Sequence, residues 1–164
     1  MSGSDKRIAE DLASAAEYQV MGEIAAHTGL LVNQEPRDGD DYDIIVNNVD
    51  MSRSCKVEVI HSHDRFSGTI KSTDYDFLAL VYAPCEIVDG TIKPCTEKQA
   101  AEAKGIYIFP RSVVKTAVDE ATGTKFDPKN IQADGVIDEN KYKEYRGAFH
   151  LISALVPNTP PDFI

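Results

Sequence analysis

Two acidic side chains stand inside short apolar runs of this sequence. Asp43 lies in Tyr-Asp-Ile-Ile-Val (residues 42–46), and Glu58 lies in Lys-Val-Glu-Val-Ile-His (residues 56–61). A carboxylate in such surroundings costs folding free energy unless it is paired, hydrated or bound to a cation. Hard divalent cations such as Mg²⁺ prefer oxygen ligands of this kind. The two acids are therefore the first candidates for a functional site.

The apolar runs around these acids predict two β-strands, over residues 42–47 and 54–60. Side chains alternate between the two faces of a strand, so both acids fall among apolar neighbours in the middle of a strand. Lys56 shares a strand face with Glu58. If the two strands are adjacent antiparallel partners, the side chains of Asp43 and Glu58 converge. If the sheet order places them on opposite sides, the acids are only structural and the chain is an unrelated α/β protein.

The remaining pattern predicts the elements that must position these acids. A long helix is predicted over residues 4–27, with apolar residues recurring every four positions and Glu17 at the border of the apolar stripe. Further strands are predicted at residues 30–32, 77–82 and 105–110, with the 77–82 strand central. An Asp-Gly hairpin is predicted over residues 86–93. Helices are predicted over residues 96–104, 111–118 and 138–149.

Length and element order predict a single α/β domain with a mixed central sheet. The 164 residues are assigned to one domain, with a core over about residues 5–118 and a C-terminal extension over residues 119–164. No apolar run reaches the ~18 residues of a membrane helix, and the N-terminus lacks the apolar segment of a signal peptide. We therefore expect no membrane association and a cytoplasmic location.

Charge and cysteine content restrict the function classes. The net charge of −10 argues against coating nucleic acid by bulk electrostatics, although metal ions and a local basic patch can offset an acidic body in a nuclease.

Three cysteines do not make a disulfide framework. Cys85 and Cys95 flank the predicted hairpin, and Cys55 is predicted to point into the core. The motifs of dinucleotide-binding, P-loop, serine-hydrolase and HExxH enzymes are absent.

The order of these pieces resembles the PD-(D/E)xK nuclease superfamily, in particular its intron-encoded endonucleases and archaeal Holliday-junction resolvases. The resemblance covers about residues 16–110. It rests on Glu17-Tyr-Gln-Val, Asp-Tyr-Asp43-Ile-Ile-Val, Glu58-Val-Ile, Asp-Tyr-Asp-Phe-Leu-Ala-Leu-Val (residues 74–81) and Ile-Tyr-Ile-Phe-Pro (residues 106–110). It implies a restriction-endonuclease-like α/β fold, in which helices flank a mixed central β-sheet.

The resemblance also implies an activity and a ligand set. It implies that the chain is a metal-dependent DNA endonuclease that hydrolyses phosphodiesters. It also allows a homodimer, because cutting two DNA strands needs two active sites. Asp43 and Glu58 would bind Mg²⁺ or Mn²⁺, with Glu17 as an outer or third carboxylate. The metal would lower the pKa of a bound water and neutralise charge on the phosphate.

The position of the family's lysine departs from the pattern, because Ile60 stands two residues after Glu58. Three alternatives follow. Another basic side chain reaches the site, with Lys56, Arg65 and Lys71 as candidates. His61 or His63 acts as acid or base. Or cleavage is lost, and the chain is an inactive nuclease-fold protein that serves as a DNA-binding or oligomerisation module.

Two further clusters are interpreted structurally. The histidines of His-Ser-His-Asp (residues 61–64) lack enough neighbouring ligands for a transition-metal site. Lys141, Lys143 and Arg146 interleave with tyrosines, a pattern that would suit a phosphate backbone, but we expect the tyrosines to pack on the sheet instead.

Overall fold

The computed structural model describes residues 3–35, 42–62, 74–82, 86–88, 91–93, 105–121, 132–133, 136–137 and 139–158. The helices are α1 (Gly3–Thr28), α2 (Arg111–Ala121), α3 (Glu139–Tyr142), a 3-10 helix (Lys143–Tyr145) and α4 (His150–Leu155). The strands are β1 (Leu31–Gln34), β2 (Ile44–Asn47), β3 (Ser54–Ser62), β4 (Phe77–Tyr82), β5 (Glu86–Val88), β6 (Thr91–Lys93), β7 (Gly105–Pro110), β8 (Gln132–Ala133) and β9 (Val136–Ile137).

Five of the strands form one mixed sheet in the order β1-β2-β3-β4-β7. The first three pair antiparallel as a meander, β4 lies parallel to β3, and β7 runs antiparallel to β4. The strand β4, predicted to be central, has a partner on both sides, but the middle strand is β3. The β5-β6 hairpin and the β8-β9 pair are separate two-stranded sheets.

Each face of the sheet is covered by helices. On the first face, Val20 and Ile24 of α1 and Ile152 of α4 are fully buried against residues such as Ile44 and Val57. This is the apolar stripe that the four-residue spacing of α1 predicts. On the second face, the sheet residues pack with Val114 of α2 and Tyr142 of α3. The chain is therefore a mixed α/β protein with a helical layer on each side of its sheet.

The C-terminal residues differ most from the sequence-based prediction. Instead of one helix over residues 138–149, the chain forms α3, a 3-10 turn and then α4. Gly147 adopts a φ of 62°, a left-handed conformation that ends a helix. Residues of this segment nevertheless contribute to the cores on both faces, through Tyr142 on one side and Phe149 and Ile152 on the other. No helix in the described ranges is long and apolar enough to cross a membrane.

Candidate functional site

The carboxyl groups of Asp43 and Glu58 lie side by side. The antiparallel register pairs Ile44 with Val57, so that Asp43, one residue before β2, falls beside Glu58 on β3. A hydrogen bond joins their side chains. Two carboxyl groups can make such a bond only if one proton lies between them. The convergence expected for adjacent antiparallel strands is therefore observed, and the arrangement that would have made the acids purely structural is not.

Asp43 also completes the backbone pairing at the end of β2. Its N–H donates to the Val57 carbonyl at 3.1 Å, and its Oδ2 accepts the N–H of Val59 at 2.8 Å. The side chain thus replaces the backbone partner that β3 would lose where β2 begins. Burial raises the pKa of the Asp43 carboxyl, while the hydrogen bonds from Val59 and with Glu58 oppose that shift. The group therefore gives up its proton less readily than an exposed aspartate.

Lys56 places a cation on the same side of the sheet as Glu58. Its Nζ lies 4.7 Å from the centre of the Tyr42 ring, a cation–π arrangement next to Asp43. Its backbone is fixed by Asp76, whose Oδ2 accepts the Lys56 N–H at 2.8 Å and whose own N–H donates to the Lys56 carbonyl at 2.9 Å. The Lys56 side chain therefore lies on the sheet face of Glu58, and its role in place of the family's lysine stays a prediction.

Ile60 belongs to the apolar core of the second face. It is half-buried and packs against the cluster that contains Tyr75, Leu78 and Leu80. The position that holds a lysine in the family is thus used here for packing. The backbone of β3 stays in register with β4 through Ser62, so that His61 falls on the opposite face from Glu58.

Two residues that sequence reasoning did not select complete the surroundings of Glu58. Tyr75 is 1% exposed, and both its hydroxyl and the Arg111 Nε are buried without a hydrogen-bond partner among the described residues. Burial raises the pKa of Tyr75, the Glu58 carboxylate raises it further, and the Arg111 guanidinium opposes both. The three side chains are therefore electrostatic neighbours. The Arg111 N–H donates to the Asp76 carbonyl at 2.9 Å, which holds the start of α2 against β4.

Glu17 is held elsewhere. Its Oε2 accepts a hydrogen bond from Gln34 Nε2 at 2.7 Å. Gln34 pairs with Ile44 and shares its sheet face, which is the α1 side, whereas Glu58 projects from the α2 side. Within the described residues, no three His, Cys, Asp or Glu side chains are grouped so that they could hold a metal ion. The structure therefore brings together two of the three predicted carboxylates.

The other predicted features have simpler outcomes. Cys55 is buried in the core, as predicted. Tyr142 and Tyr145 pack on Phe109, with ring centres 5.7 and 5.4 Å away, as expected of a patch that packs on the sheet. The residues His63, Arg65, Lys71, Cys85 and Cys95, and the helix predicted over residues 96–104, lie outside the described residues.

Comparison with known proteins adds no assignment. No protein-family model matches the sequence, and no curated protein or solved structure is significantly similar to the chain. Membership of the PD-(D/E)xK superfamily therefore remains a prediction based on the residues and their geometry.

Proposed function

We propose that this protein is a Mg²⁺- or Mn²⁺-dependent DNA endonuclease of the PD-(D/E)xK type, with a restriction-endonuclease-like fold. The observation that supports it best is the contact between the Asp43 and Glu58 carboxyl groups, with Lys56 on the same face of the sheet. A shared proton between two acids marks a place where a cation could replace that proton and relieve the repulsion between two charges.

The donor set fits a hard divalent ion. Asp43 and Glu58 offer carboxylate oxygens, and Mg²⁺ commonly needs only one or two of these, together with water and substrate phosphate. When bound, such an ion lowers the pKa of a coordinated water and stabilises negative charge on the phosphate. Asp43 and Glu58 would hold the ion, and Lys56 would orient the attacking water or balance charge. Glu17, bonded to Gln34 on the opposite face of the sheet, would not contact the ion.

The order of the elements supports the same proposal. The chain presents Glu17 on α1, Asp43 before β2, Glu58 on β3 and then the apolar strand β4, which is the sequence order on which the resemblance rests. Helices flank a mixed sheet on both faces, as that fold requires.

Metal-dependent nicking of supercoiled plasmid tests the proposal. The wild-type protein should nick DNA with Mg²⁺ or Mn²⁺ and not with EDTA. Asp43→Ala and Glu58→Ala should each lower the rate by at least ~100-fold, the scale of a lost metal ligand or charge-stabilising group. The matched control is Asp50→Ala, because Asp50 lies in the exposed β2–β3 turn. Activity that survives both ligand substitutions would refute the metal assignment.

Ile60 favours a second candidate, an inactive nuclease-fold protein that binds DNA or oligomerises. Its packing into the apolar cluster is what a strand residue with no chemical role would show. This candidate predicts DNA binding or self-association with no nicking at any Mg²⁺ or Mn²⁺ concentration. It also predicts that Ile60→Lys destabilises the fold and does not create activity. Nicking that depends on Asp43 would exclude it.

A further inference from the structure

The hydroxyl of Tyr75 and the Nε of Arg111 are two buried hydrogen-bond donors without a protein acceptor in the described residues. A polar group buried without a partner destabilises the folded state, so such groups are rare unless they have a ligand or water to bind. Tyr75 is 1% exposed, and its ring is fixed in the apolar cluster of the second face. Two such groups at one place are therefore more informative than either alone.

Their position links them to the carboxyl pair. Arg111 begins α2 at the point where its N–H donates to the Asp76 carbonyl, and Asp76 holds the backbone of Lys56. Tyr75 is the residue before Asp76, and both Glu58 and Arg111 act electrostatically on its hydroxyl. Tyr75 thus packs on the same side of the sheet as Glu58, with the Arg111 guanidinium as a neighbouring charge.

We propose that Tyr75 and Arg111 form an anion-binding site that takes the phosphoryl oxygens of the substrate. This inference rests on the proposed function and adds a second cationic group to Lys56. An arginine has only donors, and the Tyr75 hydroxyl has no acceptor among the described residues, so a matching ligand must present acceptors. A phosphate group presents several acceptor oxygens and a charge opposite to that of the guanidinium.

Neighbouring charges make the ligand class more specific. Glu58 would repel an anion that came alone, and a divalent ion held by Glu58 and Asp43 would remove that repulsion. A phosphodiester bound together with the metal would therefore satisfy both Arg111 and Tyr75. A carboxylate ligand would supply fewer acceptor oxygens for the same two donors.

Binding of inorganic phosphate, measured by isothermal titration calorimetry with and without Mg²⁺, tests this site apart from catalysis. Tyr75→Phe and Arg111→Gln should each weaken phosphate binding about 10-fold or more, which corresponds to the loss of about 1.4 kcal/mol. Arg111→Lys should restore part of the affinity, because it keeps the charge and loses the planar fork. Tyr142→Phe and Arg53→Gln are the matched controls and should change the affinity by less than about twofold.

A measurement of folding separates binding from a structural role. Because the Tyr75 hydroxyl has no acceptor in the described residues, Tyr75→Phe should unfold at the same temperature as the wild type, or higher, when phosphate is absent. The site is refuted if the wild type does not bind phosphate with Mg²⁺, if either substitution leaves the affinity unchanged, or if Tyr75→Phe clearly lowers the melting temperature.

A different result would refute the proposed nuclease function. Asp43→Asn should abolish the Mg²⁺ dependence of phosphate binding and leave the metal-independent part unchanged. If the wild type binds phosphate through Tyr75 and Arg111 but shows no Mg²⁺ binding, the anion site stands and the nuclease assignment falls. If Mg²⁺ binds through Asp43 but Arg111→Gln leaves phosphate binding unchanged, the nuclease assignment stands and the anion site is refuted.

Discussion

Asp43 combines a backbone hydrogen bond, a shared proton and a partly buried charge within one side chain. Its Oδ2 accepts the Val59 N–H, and its carboxyl contacts that of Glu58. Burial raises its pKa, so the ionised form at neutral pH is less favourable in the folded chain than in the unfolded one. The ionised form of Asp43 therefore opposes folding.

We expect Asp43→Asn to stabilise the metal-free protein. The amide oxygen can still accept the Val59 N–H, and its NH₂ can donate to Glu58 without requiring a shared proton. The gain should be on the order of 1 kcal/mol in the free energy of unfolding, measured by urea denaturation with EDTA present. The same variant should lose the Mg²⁺-dependent rise in melting temperature that a bound ligand gives the wild type.

Asp50 is a control residue, because its substitution should change stability in the opposite direction from that of Asp43. Its side chain accepts hydrogen bonds from the Ser52 hydroxyl at 2.6 Å and the Ser52 N–H at 3.0 Å, and these bonds lower its pKa. The ionised form is therefore favoured in the folded chain, so Asp50→Asn should destabilise it slightly. If both substitutions changed stability in the same direction, the electrostatic explanation for Asp43 would be wrong.

The thiol of Cys55 should be chemically inert in the folded protein. Burial, and secondarily the Asp76 carboxylate, raises the pKa of this thiol to about 12. Alkylating reagents react with the thiolate form of cysteine. With a pKa of about 12, the fraction of Cys55 in that form near pH 8 is only about one in ten thousand. Peptide mapping after iodoacetamide treatment should show Cys55 unmodified in buffer and modified in denaturant. Rapid labelling of Cys55 in buffer would contradict its burial.

At the scale of elements, the β2–β3 turn is organised around a buried amide. Asn48 is 2% exposed, its Oδ1 accepts the Arg53 N–H at 3.0 Å, and its Nδ2 donates to Ser52 Oγ at 2.9 Å and to the Pro157 carbonyl at 3.4 Å. One side chain thus closes the turn and ties it to Pro157, two residues after the end of α4. Register between β2 and β3, which aligns Asp43 with Glu58, depends on that turn.

Asn48→Ala should destabilise the protein by about 2–3 kcal/mol, because it leaves the Arg53 N–H without its acceptor and removes the donor to the Ser52 hydroxyl and the Pro157 carbonyl. Thermal and urea unfolding would measure this loss. Asn33→Ala is the matched control, since Asn33 is exposed on β1, and it should cost less than about 0.5 kcal/mol. Equal effects from the two substitutions would show that the Asn48 network does not stabilise the turn.

Local pattern was sufficient to predict most of these elements. The periodicity of α1, the alternation of β2 and β3 and the continuous apolar runs of β4 and β7 predict those elements to within a few residues. The pattern differs because α1 buries one face, whereas β4 and β7 are buried on both faces. The break at Gly147 escaped prediction, since periodic tyrosines fit a continuous helix equally well. Tyr75 and Arg111 also escaped it, because only the pairing of β3 with β4 and of β4 with β7 brings them beside Glu58.

At the scale of the whole molecule, the acidic charge limits how DNA could be held. With a net charge of −10, binding must rest on a few local cations and the metal. The log of the DNA association constant, measured in Ca²⁺ to prevent cleavage, should fall with the log of salt concentration with a slope no steeper than about −4. Arg111→Gln should make the slope shallower, and Arg53→Gln should not. A slope near −10 would indicate an extended basic surface instead.

The hydrogen bond from Val59 to Asp43 has a consequence for how this sequence would change over time. Because Asp43 completes the backbone pairing of β3, selection for folding alone would retain an acid or amide at this position. If the proposed nuclease activity were lost, an acid or amide would therefore persist at residue 43. Its presence in a future relative would not by itself indicate a working metal site.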